Sequence, residues 1–319
     1  MFRAMARSGG HVTLIFTIND EPTDLDDQGS TGAGFCLQQG AEATVTIIEN
    51  VDNKSLEISV TDSDGENVPV DCLELYTVLI EELERSSNFT TDNKKITLSV
   101  KLELPRSQGF GMSAAGLLSA AKALIAASNI DDESLAYLVT HRTERIQSSG
   151  LGDVLALSAG GIELRFEPGS PCTKGKAVGF TANIPMILVW SNNEERHTRL
   201  YIDNPNWKER ISSAGRTSIK RLRDGEWGLS RWNDLLTESL IFAEESGLLG
   251  EDSRYELFRN VESILDMCDF GGDYVPRLCM LGTSVAILPK SLDNLHVENI
   301  QKIISELDKR QLENKLVSI

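Results

Sequence analysis

Apolar and polar positions alternate over Ile96–Leu104, where Ile96, Leu98, Val100, Leu102 and Leu104 share one side, and this predicts a strand with one buried face. A β-rich run at Val12–Ile18 predicts another, and Thr44–Glu49 and Leu56–Thr61 read as two strands joined across Asn50–Lys54 in a hairpin-like arrangement. Helical spacing at Leu73–Leu83 turns Glu74, Glu81 and Glu82 outward. Pro105 ends the alternating strand, and Ser113–Ala127, dense in alanine and leucine, predicts a closely packed helix. The pair Asp131-Asp132 gives an acidic first turn to a helix over Glu133–Ile146. Gly150-Leu151-Gly152-Asp153 breaks that helix before a short apolar run to Leu157, and Gly160-Gly161 leads into a strand at Ile162–Phe166.

Pro168–Lys176, rich in Pro, Gly, Ser and Lys, is the candidate domain boundary, dividing the chain into 1–175 and 176–319. Beyond it the pattern predicts a strand at Ile184–Trp190 and helices at Trp207–Arg223, Trp232–Ser246 and Arg254–Cys268. A strand at Ser284–Leu288 and a last helix at Asn294–Leu307 complete it. Strand and helix patterns alternate in both halves, so the expected fold class is α+β, with mixed sheets covered by helices.

Composition narrows the partners. A length of 319 residues with 40% apolar side chains is enough for two cores and excludes wholesale disorder. Acidic residues outnumber basic ones by 48 to 31, giving a net charge of −17 and a surface unsuited to phosphate backbones, so nucleic acid is not an expected partner. The five cysteines are odd in number, dispersed, and contain no C-x-x-C pair, which argues against a structural zinc site or a disulfide framework. Apolar stretches fall short of the roughly 18 residues needed to cross a bilayer, and no apolar leader is evident, so no membrane partner and a cytoplasmic location are expected.

The most informative segment is Pro105-Arg106-Ser107-Gln108-Gly109-Phe110-Gly111-Met112-Ser113-Ala114-Ala115. Glycines spaced by one residue between a strand and an Ala-rich helix let backbone amides converge on an anion, and the helix N-terminus adds about half a positive charge. It is not a Walker A loop, since no Gly-Lys-Ser/Thr follows, nor a dinucleotide fingerprint, since the third glycine is missing. Glycines serving only close helix packing are the alternative. Asp153 likewise reads either as a helix N-cap or as a base, and His11 either as an ordinary polar residue or as a ligand-binding one.

These residues resemble the motifs of the GHMP kinases. Pro105, Gly109, Phe110, Gly111, Met112, Ser113 and Ala114 are similar to that family's second motif, P-x-x-x-G-L-G-S-S-A, with methionine in place of the first serine. The resemblance implies a two-domain fold with the active-site cleft between the domains, and ATP and Mg2+ as cofactors. It implies that Pro105 and Gly109 through Ala115 bind the nucleotide, that Ser113 and Glu144 are magnesium ligands, and that Asp153 takes the proton of the acceptor hydroxyl. Ser8-Gly9-Gly10-His11 resembles the first motif, with His11 at the basic position and a catalytic part in handling the substrate hydroxyl.

Within the superfamily, four stretches in order are similar to the archaeal pantoate kinases: Gly10-His11, Gly29 to Gly34, Gly109 to Gly116, and Gly150 to Asp153. Met280-Leu281-Gly282-Thr283-Ser284-Val285 looks like the last family motif. The narrower resemblance implies phosphorylation of the 4-hydroxyl of pantoate to 4-phosphopantoate in coenzyme A biosynthesis, with Ser30, Thr31 and Gly32 binding the substrate. Thr31 stands where those kinases carry arginine, the natural fork for a carboxylate, so Arg142, Arg145 and Arg216 are candidate replacements. Another branched hydroxy acid such as mevalonate 3-phosphate, a mevalonate-type decarboxylation, and a ligand sensor without turnover remain as alternatives. The expected partner is a small hydroxy acid, with a homodimer held as an option.

Overall fold

The computed structural model describes residues 1–191, 201, 204–292 and 297–319. As the alternating patterns predict, the fold is α+β, with two helix-covered sheets forming two lobes. The first sheet comprises β1 (Phe2–Phe16), β2 (Gly32–Glu49), β3 (Ser55–Thr61), β4 (Lys94–Leu102), β5 (Ile162–Glu167) and β6 (Lys176–Phe180). Its order is β3-β4-β2-β5-β6, with β1 antiparallel to β2. Helices α1 (Glu74–Ser86), α2 (Met112–Ala127), α3 (Ser134–Ile146) and α4 (Asp153–Ala159) belong to this lobe. The second sheet runs β10-β7-β9-β8, from β7 (Pro185–Trp190), β8 (Tyr274–Leu278), β9 (Ser284–Pro289) and β10 (Glu313–Ser318). It carries α5 (Pro205–Leu222), α6 (Trp232–Glu245), α7 (Asp252–Met267) and α8 (Val297–Lys309). The expected start of the last helix at Asn294 lies outside the described residues.

Several expectations change. The segments predicted as a hairpin do not pair: β4 lies between them, antiparallel to β2 and parallel to β3. Burial explains the order. In β4, Ile96, Leu98, Val100 and Leu102 are all buried and suit a central strand, whereas β3 exposes Glu57 to an ion pair with Lys95 and takes the edge. Only the start of the Gly29–Gly34 stretch is loop, since it ends at Thr31: Gly32 and Gly34 pair within β2 where a Cβ would lie 2.2 Å and 2.1 Å from carbonyl oxygens of β1. The first strand also begins at Phe2, well before Val12. Its outer part lies on the sheet edge, where Phe2 and Met5 are exposed and leave no apolar run to read. In addition, β6 pairs with β5, so the first sheet continues past residue 175.

Two features of this frame position the site. The ladder between β1 and β2 is irregular between Gly9 and His11 and again between Thr13 and Ile15, and such bulges re-aim side chains. Helix α2 is buried nearly all round and lies on β1 and β2, so its N-terminus is fixed against the strand that carries His11. The lobes meet there: Met280 N–H donates to Thr13 O at 3.0 Å, and Phe16 packs edge-on against Phe242 at 5.6 Å. None of the described helices is long and apolar enough to cross a membrane.

Candidate active site

A cavity of about 470 Å³ lies along this junction, lined from the first lobe by the glycine loop before α2 and by Gln147 to Asp153, and from the second by Met280, Leu281 and Gly282. The loop reaches its shape through left-handed backbone at Ser107, Gly109 and Gly111, with φ of 59°, 76° and 67°. A Cβ at Gly109 would meet Cys279 O at 2.9 Å, and one at Gly111 would meet the His11 backbone at 2.8 Å, so both glycines answer a conformational and a steric demand. Gly282 seats against Gln108, and Ser284 Oγ donates to Gln108 O, which ties the second-lobe loop to the glycine loop before α2. Pro105, Gly109, Phe110, Gly111, Met112 and Ser113 line the cavity, whereas Ala114 and Ala115 are buried in the packing of α2 behind it.

Asp153 is the first residue of α4, and the cap before it, Gly152, makes no side-chain capping bond. Its carboxylate turns instead to His11, whose Nδ1 lies 2.6 Å from Asp153 Oδ1. The other ring nitrogen, Nε2, lies 3.0 Å from Glu163 Oε1, and Glu163 Oε2 accepts from Arg165 Nε at 3.2 Å. Four ionisable side chains thus form one chain of contacts, Asp153 to His11 to Glu163 to Arg165. The His11 side chain is fully buried and lies behind the cavity wall, while Asp153, Thr13 and Arg165 face the cavity.

Electrostatics follow the geometry. Burial opposes charge on His11, but its bonds to Asp153 and Glu163 and their negative charges outweigh it and raise its pKa above the ordinary imidazole value. Burial likewise opposes ionisation of Asp153, yet the His11 bond and charge, Arg165 and Thr13 hold it below the usual carboxylate range. Glu144 behaves oppositely: burial first, and the Asp153 charge second, push its carboxyl well up. It sits directly behind Gly150, where a Cβ would lie 2.4 Å from Glu144 Oε1.

Ser113 Oγ and Glu144 Oε1 are buried polar atoms without a hydrogen-bond partner among the described residues. Such orphans are costly unless something else satisfies them. Hard oxygens of this kind fit a magnesium ion. Among the described residues no cluster of three or more His, Cys, Asp or Glu is arranged to hold a metal unaided, so an ion here would need further oxygens, from water or from a bound ligand.

The acceptor-side residues divide. Ser30 is buried and lines the cavity. Thr31 turns to Thr17, hydroxyl to hydroxyl at 2.8 Å, and is not part of the lining. Gly32 leaves room for a guanidinium, since its Cβ would lie 2.4 Å from Arg165 Nη2, and one at Gly152 would lie 1.8 Å from Nη1. Two glycines from separate motifs therefore cut the slot that Arg165 fills. The arginines singled out from sequence lie elsewhere: Arg142 is held by both oxygens of Asp26 at 2.7 Å, Arg145 by Gln28 and Gly150 O, and Arg216 is exposed near Glu209. Sequence reasoning missed Arg165 and Glu163. The available signal was a pair of opposite charges two residues apart in an otherwise apolar strand directly after Gly160-Gly161.

Known proteins are similar to this chain in sequence and fold. The family "GHMP kinases N terminal domain" matches residues 74–161, which include the glycine loop before α2, Glu144 and Asp153. A pantoate kinase from Methanospirillum hungatei is 27% identical over 297 residues, covering 92% of this chain and 90% of the relative. A solved structure described as "Phosphotransferase related to CoA biosynthesis pathway" superposes with a TM-score of 0.77 at 24% identity, covering 99% of this chain and 96% of that one. The mevalonate diphosphate decarboxylase of Staphylococcus aureus gives a TM-score of 0.67 at 16% identity, over 100% and 96% of the two chains. Residues 74–161 thus match the GHMP kinase N-terminal domain, and the chain is similar over most of its length to pantoate kinases.

Proposed function

We propose that this protein transfers the γ-phosphoryl group of ATP to the 4-hydroxyl of pantoate, giving 4-phosphopantoate. The observation that carries the reading is the presence, in one cavity, of a glycine loop at a helix N-terminus, an exposed edge of Asp153, and the Arg165 guanidinium. A phosphate donor, a hydroxyl and a carboxylate are the three groups such a cavity suits. The pantoate kinase relatives support the choice of acid.

Phosphoryl transfer passes through a loose transition state, so positioning and charge neutralisation do most of the work. Amides of Gly109 to Ser113 and the start of α2 take the phosphates. Asp153 accepts the hydroxyl proton late in transfer, which is compatible with its low pKa. Arg165 takes the acceptor carboxylate as a fork, making the absence of arginine at position 31 no obstacle. Ser113 and Glu144 would hold magnesium, which when bound would supply charge neutralisation for the transferred phosphoryl group.

A panel of hydroxy acids incubated with ATP and magnesium, with product masses measured, tests the assignment. Pantoate is expected to show kcat/KM at least about tenfold above mevalonate, a difference of only about 1.4 kcal/mol in transition-state binding. Faster turnover of mevalonate 3-phosphate would remove pantoate and keep the kinase. Carbon dioxide release would favour the decarboxylase reading, and no turnover of any acid the sensor reading.

The metal assignment has its own check. Ser113→Ala is expected to weaken ATP binding about tenfold with magnesium present and by less than about twofold without it, as for loss of one hard oxygen ligand. Equal losses in both titrations would mean that the hydroxyl serves the helix terminus.

A further inference from the structure

A carboxylate with no solvent exposure is rarely tolerated unless each oxygen is engaged, because an unpaired buried charge is strongly destabilising. Glu163 is fully buried in β5, and its two oxygens are engaged by different partners: Oε1 by His11 Nε2 at 3.0 Å and Oε2 by Arg165 Nε at 3.2 Å. We propose that Glu163 is the positioning residue of this active site, a single carboxylate that keeps His11 doubly protonated behind Asp153 and holds Arg165 by its Nε, leaving the guanidinium edge turned to the acceptor. The proposal deepens the kinase reading and rests on Asp153 as base and Arg165 as acceptor cation.

Donor arithmetic supports it. A neutral imidazole donates from one nitrogen only, whereas His11 has a carboxylate oxygen within hydrogen-bond distance of each. Only the imidazolium satisfies both, and removing the Glu163 charge leaves a single donor enough for Asp153. The remaining surroundings do not compensate: Thr13 offers a hydroxyl at 3.4 Å from Nδ1, the Cys36 thiol of β2 is kept protonated by burial, and Arg165 repels a second cation. The ring is also confined, since a Cβ on Gly34 would stand 3.0 Å from Nε2 and one on Gly111 would stand 3.1 Å from His11 Cβ. The consequence is a fixed, hidden cation beside the base, so Asp153 presents an ionised oxygen to the acceptor without exposing a positive group there. Because the same carboxylate grips Arg165, base and acceptor clamp are held in one register across β1, α4 and β5.

Nitrogen-15 spectra of the full-length protein with labelled histidine, assigned with a His11→Asn variant, test this directly. At pH 7, where an ordinary imidazole with pKa about 6.5 is mostly neutral, both His11 ring nitrogens are expected to carry protons. In Glu163→Gln, His11 should become a neutral single tautomer at that pH. Its kcat should fall and the pantoate KM rise, each about tenfold, with ATP affinity unchanged, and Glu163→Asp should regain the double protonation and part of both constants. A neutral His11 in the wild-type protein overturns the proposal, even if the glutamine variant does not fold. So does a folded Glu163→Gln protein with doubly protonated His11 and wild-type constants. Wild-type inactivity toward every hydroxy acid would instead sink the kinase reading and leave the His11 spectrum to decide the Glu163 contacts.

Discussion

Replacing Asp153 with asparagine is expected to lower kcat by about 10²- to 10⁴-fold while ATP affinity stays within about twofold, the range for removing a positioned base. The substitution is nearly isosteric. An asparagine oxygen can still accept from His11 Nδ1, now at 2.6 Å from the carboxylate, so the helix start and the ring should hold their places. What disappears is the proton acceptor and one negative charge. Because Gly152, not Asp153, occupies the cap position of α4 and makes no side-chain bond there, little stability depends on the carboxylate as a cap. Steady-state rates and an ATP titration on the same preparation check both halves. Turnover close to wild type would return Asp153 to the helix and remove it from the chemistry.

How far the sequence carries this picture depends on the range of each interaction. The glycine loop before α2 is legible because all its signals are local: Pro105 ends a strand, glycines recur at alternate positions, and an Ala-rich helix follows within a few residues. Asp153 was legible for the same reason, standing just after the glycine turn. The pairing of β3 with β4 was not, since alternation reports which face is buried and not which strand lies alongside. His11 and Glu163 contact each other across 152 positions, and no spacing rule reaches so far. Arg165 was passed over because a charged residue on a strand reads as a solvent-facing position. Its buried setting is created by absences elsewhere, the missing side chains of Gly32 and Gly152. Arg142 looked more promising and is already engaged by Asp26, a residue more than a hundred positions away.

Arg165→Lys is expected to raise the KM for the acceptor acid by about 10- to 100-fold with a smaller change in kcat and almost none in the KM for ATP. Lysine keeps a positive charge for Glu163, so the pair at 3.2 Å is weakened and not abolished, and the buried carboxylate is spared full isolation. It cannot reproduce a planar fork that holds Glu163 through Nε and offers its far edge to a second carboxylate. Loss of one hydrogen-bonded contact to a charged group is worth about 1.5 to 3 kcal/mol, which converts to the stated range. Ground-state and transition-state binding of the carboxylate should suffer alike, because that group lies away from the transferred phosphoryl, and so the cost should appear in KM. A second variant reaches the same side chain without touching it. Gly152→Ala would set a methyl where Arg165 Nη1 now lies, at 1.8 Å, so the guanidinium must move and the acceptor KM should rise in the same direction. Acceptor KM values within about twofold of wild type in both variants would show that the carboxylate is held elsewhere in the cavity, and Arg106, the other arginine among its lining residues, would then be the side chain to replace.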